Sequence, residues 1–231
     1  APSEVTMSRV IVFGTGRGAE IAYRYFRRDG MHDVVGFTVD RAFRTVERFH
    51  DLPVVDFESV ERTFPPAQYQ MFALLGYQRM NRLRQEKYQA GKEKGYQFVS
   101  YVSPRIAAQP DLVVGENCLI LDHQTIDLDV TIGNNVVMWS SNHIGDMTHI
   151  MDHVWISSGL CTAGNVTIGA FSFVGVNVVI TSDVKVQEGS FLGAGAVITK
   201  DTVRRGVYVV PSTPAAPMDS DRFMSIIGEN R

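Results

Sequence analysis

The chain has 231 residues, with 22 Lys and Arg against 25 Asp and Glu, a formal net charge of −3 and 45% hydrophobic residues. This length allows one large domain or two small ones, and the near-neutral charge gives no basic field for a nucleic-acid backbone. Two cysteines, Cys118 and Cys161, are too few for a disulfide framework and indicate a reducing, cytoplasmic compartment. Since no apolar run approaches the roughly 18 residues of a membrane span, we predict a soluble protein that binds no membrane.

The first elements in chain order predict a phosphate-binding turn. Residues 1–7 are expected to be an unstructured leader and not a secretory signal, because a secretory signal has an apolar region after a basic start and this segment has none. Residues 9–13 form an apolar strand pattern, residues 14–18 read GTGRG, and residues 19–26 have apolar positions at helical spacing. Strand, glycine turn and helix in this order place backbone N–H groups where a phosphate can bind. The alternative is an ordinary tight connection.

Two further strand patterns extend this unit into a small α/β domain with a parallel sheet. Residues 33–40 end in Asp40, about where a dinucleotide fold places its ribose-binding carboxylate, and residues 70–75 precede a charged helix over 80–94. The unit is too short for the two halves of a full dinucleotide fold, which favours a mononucleotide or a nucleotide-linked sugar. The predicted substrate-binding residues are Gly14, Gly16, Arg17, Gly18, Asp40 and Gly76.

The second half of the chain repeats every six residues. From 112 to 201, fifteen blocks keep one frame, and the third position is almost always aliphatic: Val114, Ile120, Ile126, Ile132, Met138, Ile144, Ile150, Ile156, Thr162, Ile168, Val174, Ile180, Val186, Leu192 and Ile198. A six-residue period fits 3.6 residues per turn poorly, so a helix is excluded. We predict a triangular solenoid of five 18-residue coils, with these side chains inside and the frequent fourth-position glycines at tight turns.

This pattern resembles the left-handed β-helix of the hexapeptide-repeat acyltransferases over residues 106–212. That resemblance implies a homotrimer that binds acetyl-CoA between neighbouring prisms. Together with the first domain and the connecting segment 76–101, it resembles the nucleotide-sugar acyltransferases of the sialic-acid and bacillosamine type. It implies a Rossmann-like nucleotide-sugar domain (1–98), a β-helix acyltransferase domain (99–212) and a tail (213–231). The expected activity is acetyl transfer to an amine or hydroxyl of a nucleotide-linked sugar, for a surface polysaccharide or glycan.

Acetyl transfer needs a base, and three histidines lie close together in the repeat. His143 and His149 each precede an inward isoleucine and are expected to project outward, with Asp146 in the corner between them, while His153 occupies a corner. The alternative is that His143 and His149 are ordinary surface or interface side chains. Our hypothesis is that His143 is the base, assisted by Asp146, with His149 as the competing choice.

The resemblance also shows where this sequence departs from its family. Matching residues 163–166 places the usual catalytic histidine at Asp146, the neighbouring glutamate at Met147, and a histidine that contacts CoA at Trp155. Residues 139–145 (WSSNHIG) instead resemble a segment from a related branch of the sugar acyltransferases. The standard catalytic pair is therefore missing from its standard place.

By the same match, the cofactor-binding residues are expected to be Trp155, Gly164, Val176, Ala194 and Lys200. The three small residues line the pantetheine groove, and Lys200, with Arg204 and Arg205, attracts the phosphates. We predict no metal site. Two alternatives remain: a trimeric zinc enzyme of the γ-carbonic-anhydrase type, and a non-catalytic nucleotide-sugar-binding trimer, which the carboxylate at Asp146 makes plausible.

The last segment cannot continue the repeat, because residues 211–217 contain three prolines. Residues 219–231 are expected to form a short helix that covers the open end of the solenoid.

Overall fold

The structure is a computed structural model that describes residues 7–228. The first six residues of the predicted leader and the last three of the predicted tail lie outside this range. Of the helices within it, none combines the length and the apolar character needed to cross a membrane.

The α/β part is a five-stranded sheet in the order β3-β4-β2-β1-β5. Every neighbouring pair is parallel except β3 and β4. The sequence predicted β1, β2 and β5 but missed β3 and β4, because these strands are short and partly exposed. Its elements are β1 (Ser8–Phe13), α1 (Arg17–Asp29), β2 (His32–Val39), β3 (Arg48–Phe49), β4 (Leu52–Asp56), the single turn α2 (Val60–Thr63) and β5 (Gln70–Ala73).

Helix α3 (Arg82–Glu93) connects this sheet to the repeat. After it, Phe98 still pairs with Met71 beside β5, and the first strand of the repeat follows at Tyr101. The chain thus passes between its two parts within a few residues, and the boundary between 98 and 99 stays a prediction.

The repeat folds into a left-handed parallel β-helix with three faces. The first face holds β6 (Tyr101–Val102), β9 (Leu119–Ile120), β12 (Val137–Met138), β15 (Trp155–Ile156), β18 (Phe173–Val174), β21 (Phe191–Leu192) and β23 (Val207–Tyr208). The second holds β7 (Ala107–Ala108), β10 (Thr125–Ile126), β13 (His143–Ile144), β16 (Cys161–Thr162), β19 (Val179–Ile180) and β22 (Val197–Ile198). The third holds β8 (Val113–Val114), β11 (Thr131–Ile132), β14 (His149–Ile150), β17 (Thr167–Ile168) and β20 (Lys185–Val186).

The 18-residue coil appears directly in the strand pairing. Ile126 pairs with Ile144, and Ile150 pairs with Ile168. The third-position side chains form one continuous buried core inside the prism. The frame also extends backward beyond the predicted blocks to β6 and β7. It is broken only in the last coil, where Phe191 pairs with Val207, 16 residues later.

The fourth-position glycines have a different cause from the one predicted. Left-handed backbone occurs instead at the sixth position, for example at Asn135 (φ 58°) and Asp183 (φ 64°). A Cβ on Gly145 would lie 2.6 Å from the backbone of Ala163 in the next coil. These glycines are therefore required by the close stacking of the coils and not by a positive φ.

The α/β part packs on the first face of the prism at strands β9, β12 and β15. Leu119, Val137 and Trp155 join the core formed by α1 and its strands. Arg28, at the end of α1, donates two hydrogen bonds of 2.8 Å to the carboxylate of Asp122. The second and third faces are left exposed at their outward positions, including His143 and His149.

The tail contains the expected helix, α4 (Ser220–Gly228). Every residue of α4 is exposed, so the prediction that it covers the end of the prism is wrong. The apolar side chains of α4, such as Phe223 and Met224, are therefore not buried.

Candidate functional site

A cavity of about 410 Å³ lies where the glycine turn, the end of β5 and the first face of the prism meet. It collects the predicted residues Gly14, Gly16, Arg17, Gly18 and Gly76 in one place. The other residues in its wall are Phe13, Ala19, Ile21, Leu74, Leu75, Gln78, Trp139 and Trp155. All of them except Gln78 are apolar.

The turn fits this place because two of its glycines cannot be replaced without strain. Gly14 has φ +103°, and its N–H donates to Thr38 O at 2.6 Å. A Cβ on Gly18 would lie 2.1 Å from Leu74 O, so α1 can start against β5 only with glycine there. The N-terminus of the 13-residue helix α1 therefore opens directly onto the cavity.

Two tryptophans form the wall that the prism contributes. The ring centroids of Trp139 and Trp155 lie 6.2 Å apart, and Tyr77 contacts Trp155 at 5.4 Å. Trp155, which was expected among the cofactor residues, lines this cavity together with the residues predicted to bind substrate. Sequence reasoning did not assign Trp139 to the site, and its neighbouring SSNH segment was the only signal.

Asp40 lies beside the main cavity and not in it. It lines a smaller space of about 290 Å³ on the other side of Gly14 and Gly16. Its carboxylate accepts a hydrogen bond from Lys87 Nζ at 2.7 Å. A ribose hydroxyl would have to compete with this ion pair.

The two candidate bases lie on different faces of the prism. His143 is on the second face, with Nε2 3.8 Å from the carboxylate of Asp127. His149 is on the third face, where its Nδ1 is hydrogen-bonded to Thr131 Oγ1 at 2.7 Å, which leaves Nε2 without a contact in the described structure. Among residues 7–228, the ion pair found for His143 is with Asp127 and not with the predicted Asp146.

Asp146 is exposed at the corner between these faces. Its Oδ1 would lie 2.4 Å from a Cβ placed on Gly164, one coil further along. The structure therefore places Asp146 next to a residue of the predicted cofactor set.

The predicted cofactor residues occupy two corners. Gly164 and Lys200 lie between the second and third faces, whereas Val176 and Ala194 lie between the first and second faces. The second face separates the two pairs. Both corners are accessible, with Val176 46% exposed.

His153 is tied into a buried polar network instead of facing solvent. Its Nδ1 lies 3.0 Å from Asn135 Nδ2, and burial lowers the pKa of this imidazole to about 4. Asn135 in turn contacts Asn117, whose amide bonds both backbone groups of Ala73 at the end of β5. His153 is therefore neutral near pH 7, and its ring joins the prism to the sheet.

Arg84 was not predicted to matter, yet it is completely buried. Its guanidinium donates to the carbonyl oxygens of Asn135, His153 and Val154 and lies 5.5 Å from the ring of Trp155. Burial lowers the pKa of Arg84 to about 9. In the sequence it is one of several charges on a helix, and the backbone carbonyl groups that it binds lie 51 to 70 positions away.

Comparison with known proteins agrees with this architecture. The bacterial transferase hexapeptide pattern of six repeats matches residues 165–200. A candidate acetyltransferase of Schizosaccharomyces pombe is 34% identical over 102 residues, which is 44% of this chain and 46% of that protein. The chain spans less than half the length of the curated relatives it matches.

Among the solved structures, two examples share most of this fold. One is a mutant of perosamine N-acetyltransferase from Caulobacter crescentus in complex with CoA and GDP-perosamine (TM-score 0.73, 21% identity, 84% of this chain and 90% of that chain). The other is the acetyltransferase domain of PglB from Neisseria gonorrhoeae in complex with acetyl coenzyme A (TM-score 0.73, 19% identity, 84% and 92%). The chain thus matches the hexapeptide repeat of bacterial transferases over residues 165–200 and shares its fold with these two acetyltransferase structures.

Proposed function

We propose that this protein transfers an acetyl group from acetyl-CoA to an amine or hydroxyl of a nucleotide-linked sugar. The observation that carries the proposal is the cavity in which the glycine turn faces Trp139 and Trp155. Its support is the shared fold with proteins whose structures hold CoA and GDP-perosamine. The sugar and the base of the nucleotide are left open.

The cavity supplies the interactions that such a substrate needs. The N–H groups at the start of α1 and the Arg17 guanidinium suit the diphosphate. The indole rings of Trp139 and Trp155 suit the carbon-bearing face of the sugar, since flat apolar surfaces pack well against C–H groups. This division directs the reacting group of the sugar toward the prism.

The proposed base is His143, with His149 as the alternative. The lone pair of the sugar amine or hydroxyl adds to the thioester carbonyl, and the base takes the proton that this group loses. Collapse of the tetrahedral intermediate breaks the C–S bond, and the CoA thiolate leaves and takes up a proton. Asp127, 3.8 Å from His143 Nε2, or the predicted Asp146 assists His143 by orienting its imidazole ring.

A homotrimer is part of the proposal. Both histidines lie on faces that the α/β part of the same chain does not cover, while the cavity lies over the first face. A neighbouring copy can bring its exposed face toward the cavity. The groove between copies then runs along the corners that hold Gly164, Val176, Ala194 and Lys200.

A non-catalytic nucleotide-sugar-binding trimer is the second candidate, favoured by the exposed carboxylate at Asp146. The zinc alternative draws ligands from neighbouring subunits. Within residues 7–228 of one chain, no three His, Cys, Asp or Glu side chains are grouped as metal ligands, so metal analysis of the assembled protein is its test.

The deciding experiment measures CoA release from acetyl-CoA in the presence of nucleotide-linked amino sugars. We expect His143→Ala to lower turnover by about 100-fold or more, since general base catalysis contributes on that scale. The matched control is His123→Ala, which removes an exposed histidine from the corner between the first and second faces, in an earlier coil than Val176. Loss only in His149→Ala would reassign the base. Near-normal turnover in both variants would refute a histidine base, and binding without turnover in the wild type would favour the second candidate.

A further inference from the structure

A second cavity, of about 470 Å³, lies where the segment before α3 meets the last coils of the prism. It shares no residue with the cavity at the glycine turn, but it includes Arg205, which the sequence comparison placed among the residues that attract the phosphates of CoA. We call it the arginine cavity. It is lined by Arg79, Met80, Arg82, Phe171, Gly189, Phe191, Arg205 and Val207.

The charge of the arginine cavity is one-sided. Three guanidinium groups line it and no carboxylate does. Arg79 is paired with Glu86 outside the cavity. Within residues 7–228, neither Arg82 nor Arg205 has a carboxylate partner. The nearby Glu188 is already paired with Arg204 at 2.9 Å. Converging cations without counter-charges favour an anion between them.

The backbone just before Arg82 is held in one conformation. Arg79, Met80 and Asn81 have consecutive positive φ values of 51°, 52° and 65°. Each such residue costs roughly 1 kcal/mol, so the conformation must be held by contacts. The buried Asn81 supplies them, because its Nδ2 donates to Phe171 O at 3.3 Å and to Ser172 O at 3.1 Å.

The prism side of the arginine cavity also has a specific shape. Gly189 has φ +69°, and a Cβ there would lie 3.2 Å from Arg205 Cγ, so glycine leaves room for that side chain. Arg82 lies over the ring of Phe171, at 4.5 Å from its centroid. Phe191 is stacked on Phe173 at 4.8 Å and is only partly covered. The cavity thus combines cations with an aromatic floor.

We propose that the arginine cavity binds the phosphate and ring of a nucleotide. Guanidinium groups match phosphate oxygens in pairs, aromatic rings stack on a planar base, and the volume lies in the usual range for such ligands. The ligand is either the adenosine bisphosphate end of CoA or a separate nucleoside diphosphate. Binding of the CoA end rests on the proposed function, whereas binding of a separate nucleoside diphosphate does not.

Calorimetric titration of the full chain with adenosine 3′,5′-bisphosphate and with UDP tests the proposal. The variants are Arg82→Gln and Arg205→Gln, and Arg62→Gln, an exposed arginine on α2, is the control with the same loss of charge. Each cavity variant is expected to weaken at least one probe by roughly tenfold or more, the cost of a charge-assisted hydrogen bond. The control should stay within about twofold.

The two probes separate the sources of the ligand. Weakened binding of the bisphosphate identifies the nucleotide end of CoA, and weakened binding of UDP identifies a nucleoside diphosphate. UDP that binds at the glycine turn is unaffected by these substitutions. The proposal is overturned if neither probe binds the wild type, if both cavity variants bind as the wild type does, or if Arg62→Gln weakens binding equally. Unchanged thermal unfolding of the variants shows that a loss is local.

Discussion

Replacing Gly18 by alanine tests the packing that creates the nucleotide cavity. On helix propensity alone this change stabilises a helix by about 1 kcal/mol. In this fold, however, the new Cβ would meet Leu74 O at 2.1 Å and Leu74 C at 3.1 Å. The atom in conflict is backbone, so α1 must shift away from β5. We expect overpacking to outweigh propensity and to lower the free energy of unfolding by roughly 1–3 kcal/mol.

The assay is thermal unfolding with Gly16→Ser as the matched control. Gly16 is two residues away in the same turn, is the N-cap of α1, and has open space where a Cβ would lie. Serine is a favourable N-cap residue, so this variant should be as stable as the wild type or more so. At about 2–4 °C per kcal/mol, the Gly18→Ala melting temperature should be lower by several degrees. A Gly18→Ala protein at least as stable as the wild type would refute the reasoning.

Three further predictions follow from contacts elsewhere. Hydrogen bonds from Arg28 lower the pKa of Asp122 to about 2. The ion pair therefore stabilises the fold above the unfolded pKa of about 4, and this stabilisation is lost as the pH falls toward 2. The difference in the free energy of unfolding between wild type and Asp122→Asn should shrink between these two pH values in unfolding titrations. Arg84→Met should destabilise the fold by roughly 3–5 kcal/mol in denaturant unfolding, because the carbonyl oxygens of Asn135 and His153 lose their hydrogen-bond donor, and a change below about 1 kcal/mol would contradict this role. Gly145→Ala should cost roughly 1–3 kcal/mol through its clash with the next coil, whereas Gly228→Ala, with open space around it, should be neutral in the same melts.

The sequence predicted the prism well because almost every six-residue block has an aliphatic residue at the position that points into the core. Ile126 and Ile144 point inward for the same reason, and their spacing sets the coil. The strand pair β3 and β4 carries no such periodic signal. Its two-residue hairpin at His50 and Asp51 is formed by residues with φ of 50° and 58°, neither of them glycine, which hides the turn from sequence reasoning.

The candidate site was predictable where it is local and not where it depends on long-range contact. The glycine turn could be found because strand, glycines and helix are adjacent in sequence. Trp139 and Trp155 enter the same cavity only because the sheet packs on the first face, which depends on pairs such as Arg28 with Asp122, 94 positions apart. From the sequence, Arg84 is expected to be a solvent-exposed charge on a helix. It is buried because it binds backbone carbonyl groups at a corner of the prism, which are far away in sequence.

The 18-residue coil also sets how the chain can change its length. Insertion of one residue within the frame would turn every later inward aliphatic side chain toward solvent, whereas loss of 18 residues leaves each remaining strand a partner in register. The prism can therefore grow or shrink only in steps of one coil, about 4.8 Å each. The 16-residue last coil lies at the one place where no later strand has to keep the frame.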